Sequence, residues 1–123
     1  MSMERIILEM GAGNDLYGQD YTKAARRAVQ DALHHSSIVF FRSLDIVAAD
    51  MVVKVTIGVQ EPDKVDAATV QADLPRGKAE VRVVFGGQNV MDIENDTVSV
   101  VATAALEAYV DIDHSKWKLS ESI

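Results

Sequence analysis

The sequence predicts an α+β domain: a mostly antiparallel sheet with two helices packed on one face, in the rough order β-α-β-β-α-β-β. Three observations carry this reading. Residues 21–35 place Ala24, Ala25, Ala28, Val29, Ala32 and Leu33 in one continuous helical stripe. Residues 50–59 and 79–85 alternate apolar and polar side chains with the period of a strand. Residues 97–111 keep that period without a slip, with Val98, Val100, Ala102, Ala104, Leu106, Ala108 and Val110 on one parity.

Residues 5–10 read as a first strand with Ile6, Leu8 and Met10 on one face, ended by Gly11-Ala12-Gly13. Asp20 is placed to cap the helix that follows, because its carboxylate can accept from the free amides of the first turn. The stripe of that helix is mostly alanine, so its axis can lie close to a sheet. Residues 38–41 are wholly apolar and are read as a buried strand or the approach to one. Val65, Asp66 and Val70 hold the N′, N-cap and N4 positions of a hydrophobic staple, which predicts a short helix over residues 67–74, stopped by Pro75 and Gly77.

The last strand is too long for an ordinary small sheet. Fifteen extended residues span on the order of 50 Å. Either the strand bends near Ala102–Ala105, or its far half pairs with another subunit; residues 104–109 alone also fit a helix. The second parity of the strands includes Val52, Thr56, Val84, Val101 and Ala105, too apolar for a purely solvated face. Both features lead to the expectation of a homo-oligomer.

The 123 residues form a single domain over 1–112, followed by a polar tail at 113–123 that holds His114 and the lone Trp117. Twelve Lys and Arg face 19 Asp and Glu, a net charge of −7, which argues against nucleic acid or an anionic membrane as partner. The absence of cysteine excludes disulfides, thiolate metal sites and a cysteine nucleophile. The apolar run Ile6-Ile7-Leu8 is too short for a signal sequence, so a cytoplasmic protein is expected.

Special residues gather in Gly11-Ala12-Gly13-Asn14-Asp15-Leu16-Tyr17-Gly18-Gln19-Asp20. Three glycines permit positive φ and a close backbone approach to a ligand, and the segment leads into a helix N-terminus. A dinucleotide fingerprint is rejected, because Leu16 stands where its third glycine belongs. The bland alternative is a tight turn with local Asn14 and Asp15 bonds. Lys23, Arg26 and Arg27 make a cationic patch beside this segment on an acidic chain. Either Asp15, Gln19, Asp20 and Asp31 compensate it locally, or Lys23 and Arg27 receive the anion or carbonyl of a small metabolite, with Asp15 orienting the lysine or acting as base. The candidate ligand set is therefore Gly11, Gly13, Asp15, Tyr17, Gly18, Lys23 and Arg27, with Asp15 and Lys23 the candidate catalytic pair. No cofactor and no metal are expected. His34 and His35 are adjacent, point about 100° apart on a helix and suit a C-terminal cap better than one metal ion. Ser36 and Ser37 beside them lack an orienting acid for nucleophilic chemistry.

Gly11, Gly13, Asp15 and Gly18 resemble the GxGxDxHG signature of an uncharacterised hypothetical-protein family found in scattered bacteria and, with an N-terminal extension, in plants. The continuation Asp20-Tyr21-Thr22-Lys23-Ala24-Ala25, Arg27-Ala28-Val29, Leu74-Pro75 and Gly86-Gly87 is similar to it as well. Tyr17 stands where that signature has histidine, and a tyrosine holds its proton to about pH 10. The resemblance implies no activity. In layout the element order is chorismate-mutase-like or YjgF-like, folds that assemble into rings or barrels with ligands between subunits. Two functions are therefore expected in competition. The first is an oligomeric small-molecule binder or enzyme acting on an anionic or carbonyl-containing metabolite at a subunit-junction site near Gly11–Gly18; the alternative is a non-catalytic assembly or interaction module working through its sheet face.

Overall fold

A computed structural model describes residues 2–34, 51–74 and 78–112. Strand β1 (Ser2–Asp15) leads into helix α1 (Tyr21–His34). After it come β2 (Val52–Val59), a 3-10 turn (Pro62–Lys64), α2 (Ala67–Ala72), β3 (Lys78–Phe85), β4 (Gln88–Asp92) and β5 (Thr97–Ile112). The strands form one five-stranded sheet in the order β1-β5-β2-β3, with β4 also paired to β5. Three pairings are antiparallel, while β2 and β3, joined through α2, run parallel. The fold is thus α+β with a mixed sheet.

Strand β5 is the spine. Along one edge β1 pairs with it from Ser2↔Ile112 to Asp15↔Val100. Along the other edge β2 takes residues 103–109 and β4 takes residues 97–101, end to end. The whole period-two segment is therefore satisfied inside one chain. Neighbours long enough to use β5 are thus present within the chain, so its length alone does not call for a partner subunit. The first strand is in fact 14 residues long and continues through Gly11-Ala12-Gly13 instead of stopping at Met10.

The covered face is built from cross-strand rows: Ile7, Ala108 and Val53; Leu106, Val55 and Val81; Gly11, Ala104, Ile57 and Val83. Helix α1 lies over them with Ala24, Ala25, Ala28, Val29 and Ala32 fully buried, and Val65 and Val70 bring α2 onto the same face. Glycine is required in β1 for contact with the helix. A Cβ on Gly11 would stand 2.5 Å from both the carbonyl oxygen of Ala28 and the amide nitrogen of Ala32; one on Gly13 would fall inside the backbone of Ala24 and Ala28. Neither glycine has positive φ, which among described glycines occurs at Gly87.

The caps follow the sequence closely. Asp20 Oδ1 accepts from the Lys23 amide at 3.0 Å, and Asp66 accepts from the amides of Ala68 and Thr69. Helix α2 is two residues shorter at its C-terminus than residues 67–74 would make it. Strand β4 was not expected. It follows Gly86-Gly87 directly, and its only described strand partner is β5. The expected strand at 38–41, His35, Ser36, Ser37, Pro75, Gly77 and the 113–123 tail lie outside the described residues.

The close seat of α1 makes a prediction. Gly13→Ala and Gly11→Ala should each lower the unfolding free energy by about 1–3 kcal/mol through overpacking, measured by urea denaturation. Substituting the exposed neighbour, Ala12→Ser, should change little. Unshifted midpoints for both glycine variants would contradict the close-packed seat.

Candidate functional site

Four of the predicted ligand residues, Asp15, Gly18, Lys23 and Arg27, do meet. Asp15 closes β1 and is 6% exposed, the one buried charged residue among those described. Its Oδ2 accepts from the Asp20 amide at 2.9 Å, and its Oδ1 lies 3.7 Å from Arg27 and 4.0 Å from Lys23. Gly18 leaves room for that carboxylate, since a Cβ there would sit 2.8 Å from Asp15 Oδ2. The connection itself is residues 16–20, with Gln19 at φ 50°. Tyr17 in that loop is 73% exposed. Gly11 and Gly13 belong to β1 and face the backbone of α1, which occupies the space a ligand would need.

The cations of α1 are engaged with protein. Arg27 Nη1 donates to the Asn14 carbonyl at 2.6 Å, and Asp31, one turn on, accepts from the Ala12 amide at 3.0 Å. Strand β1 is the edge of the sheet, and Ala12 and Asn14 turn backbone groups away from β5. Arg27 and Asp31 therefore cover an otherwise open strand edge. Arg26 forms a two-bond pair with Asp73, at 2.6 and 3.1 Å, which joins α1 to the end of α2. Asp73 was not among the expected compensating acids, because the pair spans 47 residues and has no local spacing to reveal it. Outside these bonds a groove of about 560 Å³ runs along α1, flanked by Lys23, Arg27, Gln30 and His34.

A polar cluster closes the other side of the α1 N-terminus. Tyr21, nearly fully buried, donates to Glu61 Oε2 at 2.8 Å and accepts from Asn89 Nδ2 at 2.8 Å. Lys64 pairs with Glu61 at 3.2 Å and stands 5.6 Å from the centre of the Tyr21 ring. The Tyr21 hydroxyl, then Lys64, hold the Glu61 carboxyl below its ordinary 4.5. Sequence reading missed this cluster, because its members come from α1, the loop after β2 and the unforeseen β4.

The second face of the sheet carries the residues the period-two pattern assigns to it. Across the strands lie the rows Leu8, Glu107, Lys54 and Glu80; Met10, Ala105, Thr56 and Arg82; Ala12, Thr103, Gly58 and Val84. The first row and its flank are polar: Glu107 accepts from Arg5 at 3.2 Å and Tyr109 at 2.8 Å, and Lys54 stands 5.0 Å from the Tyr109 ring centre. The next rows combine Met10, Ala105, Ala12, Gly58 and Val84 with two threonines, and one of them ends in Arg82. They form a shallow concavity of about 510 Å³ around Met10, Thr56, Gly58, Thr103 and Ala105. Met10 is 66% exposed, and no described element covers this face.

A helical layer on one side of a mixed sheet, with an apolar second side, defines the chain as a two-layer α+β domain. Residues 5–108 match the conserved hypothetical protein family Lin0512_fam, and the chain belongs to that family. A crystal structure from Nostoc punctiforme, described as an FtsZ-like protein of unknown function, shares 30% sequence identity with a TM-score of 0.78, over 91% of this chain and 99% of that one. No protein of curated function matches. Among the described residues no helix is long and apolar enough to cross a membrane, and no group of three metal-ligating side chains gathers.

The Glu61 bonds make a pH prediction. A carboxyl lowered on folding stabilises the native state above its unfolded value, and the contribution is lost as pH falls through the folded value. Glu61→Gln should therefore be less stable than wild type at neutral pH, with the gap narrowing once pH drops below 4.5. Urea midpoints of both proteins across that range check this. A gap independent of pH would remove the charge of Glu61 from the account.

Proposed function

We propose that this chain is a self-assembling module whose second sheet face is buried between copies of itself. The observation that carries the proposal is the gradient on that face: a polar, ion-paired end and an apolar, small-residue middle centred on Met10, Ala105 and Gly58. A face designed only for water carries polar side chains along its whole length. The backbone glycines under α1 and the internal neutralisation of Asp15 turn the Gly11–Gly18 segment toward structure, which favours the assembly reading over a ligand site there.

One observation favours a second reading. Lys23 and Arg27 remain half-exposed beside the groove on α1, and their contacts to Asp15, at 4.0 and 3.7 Å, are loose. A small anionic or carbonyl-bearing metabolite would find two cations there. The reading requires some anionic metabolite to raise the melting temperature of the wild type, and Lys23→Ala to abolish the rise. A screen in which none does so retires it.

The assembly reading is checked by sedimentation velocity at micromolar concentration. The wild type should sediment as an oligomer, and Met10→Glu, which places a carboxylate on the apolar rows, should shift it to monomer with little change in melting temperature. A monomeric wild type would overturn the proposal.

A further inference from the structure

Resting on that assembly reading, we infer that the occupant of the apolar concavity is the β4–β5 arm of a second copy of this chain. The arm is a two-stranded ribbon that runs past the paired ends of β1 and β2, held at its base by Asn89 on Tyr21 and by Ser99 on the Leu16 carbonyl. Strand β1 pairs with β5 only as far as Val100 and β2 only as far as Thr103, so residues 97–99 have β4 as their sole strand partner among the described residues. A ribbon of this size gains little from exposing apolar side chains. Yet Ile93 at its tip is 84% exposed and Met91 beside it 71%.

The tip is pre-shaped. The Asp92 carboxylate accepts from the Asn95 amide at 3.3 Å and from Asn95 Nδ2 at 2.8 Å, and Asp96 closes the turn at φ 51°. Little ordering is left to be done on binding. The tip is also acidic: Asp92, Glu94 and Asp96 surround Ile93. The lining of the concavity carries no charge, but a cation stands beside it. Its central row ends in Arg82, whose guanidinium donates to Thr56 Oγ1 at 3.4 Å and forms no ion pair among the described residues. An apolar projection flanked in sequence by carboxylates thus matches an apolar hollow with Arg82 at its side. The floor of the hollow is low at Ala105, which contributes only a methyl group, while the space over Gly58 is taken by Thr103 Oγ1 and the Gly86–Gly87 backbone.

Arm and hollow are different surfaces of one chain, so the contact is head-to-tail and not a symmetric face-to-face pair. That difference is testable by mixing. Ile93→Lys disables the arm and keeps the hollow; Met10→Glu disables the hollow and keeps the arm. Both sites are exposed, and circular dichroism melting checks that each variant folds. Each alone should sediment as a monomer, with self-association weakened about tenfold or more. An equimolar mixture should yield a dimer and nothing larger, since one intact contact remains. Reversing charge with Arg82→Glu should weaken assembly, and adding Glu94→Lys to it should recover part of the loss. If Ile93→Lys still assembles like the wild type, the arm is not the occupant while the assembly reading survives. If the mixture yields no dimer, the inference fails as well. A monomeric wild type removes both.

Discussion

Everything in this fold is set by how closely α1 lies on β1. A helix normally packs on a sheet through side chains, with the axis held off by their length. Here Gly11 and Gly13 present bare backbone to Ala24, Ala28 and Ala32, and the neighbouring β5 positions are Ala102 and Ala104. Dispersion between close backbones replaces the interdigitation of large side chains. The large residues of the core lie to the side, in Val53, Val55, Ile57 and Val59 of β2, where the layer is thicker. This close approach also brings the polar residues of α1 within reach of the backbone of β1. Arg27 and Asp31 can bond Asn14 and Ala12 because the helix is that near. Asp15 and Tyr21 are held in place by the same proximity, one on each side of the α1 N-terminus.

Much of the architecture was legible in the sequence because it is written in local periods. The alanine stripe of α1, both N-caps, the staple at Val65 and Val70, and the two parities of β2, β3 and β5 depend on neighbours within four residues. What failed depends on distance. The glycines of β1 were read as a loop because in a sequence Gly-x-Gly means freedom; the helix that fills the missing side-chain volume is named only by the fold. Strand β5 was judged too long because the length of β1 was cut at Gly11. Strand β4 was missed because Gln88–Asp92 has neither a steady alternation nor β-branched density, and its pairing is stabilised mainly by the turn that Asp92 and Asn95 build. The cationic patch was correctly located, while its main partner Asp73 lay beyond any spacing rule.

The same distances redefine the candidate site. Asp15, Lys23, Arg27 and Gly18 are brought together as expected, but around one another. A buried carboxylate shared between a backbone amide and two cations has little capacity left for a substrate. Tyr17 is left exposed in the loop, away from the bonds that hold Asp15. Tyr21, Glu61 and Asn89 form a second polar cluster from elements far apart in sequence, and its bonds tie the start of α1 to β4 and to the turn after β2.

The edges of the sheet decide where another molecule can add. An open β-sheet invites extension along its outer strands, where unpaired amides and carbonyls face water. On the β1 side those groups are met by Asp31 and Arg27, both carried by α1. On the β3 side the Ala79 carbonyl accepts from Gln71 of α2 at 3.0 Å. The helices therefore do two things at once: they cover one face, and they reach around to occupy the edges. Among the described residues, the second face and the arm beside it carry the exposed apolar side chains Met10, Phe85, Met91 and Ile93. The face is apolar where it is furthest from the Arg5, Glu107 and Lys54 network and nearest the base of the arm. On the proposal that this face is buried between copies, a gradient that rises toward the arm would place the contact at that end of the molecule, and a head-to-tail arrangement would then cover more of the apolar surface than a symmetric stacking of whole faces.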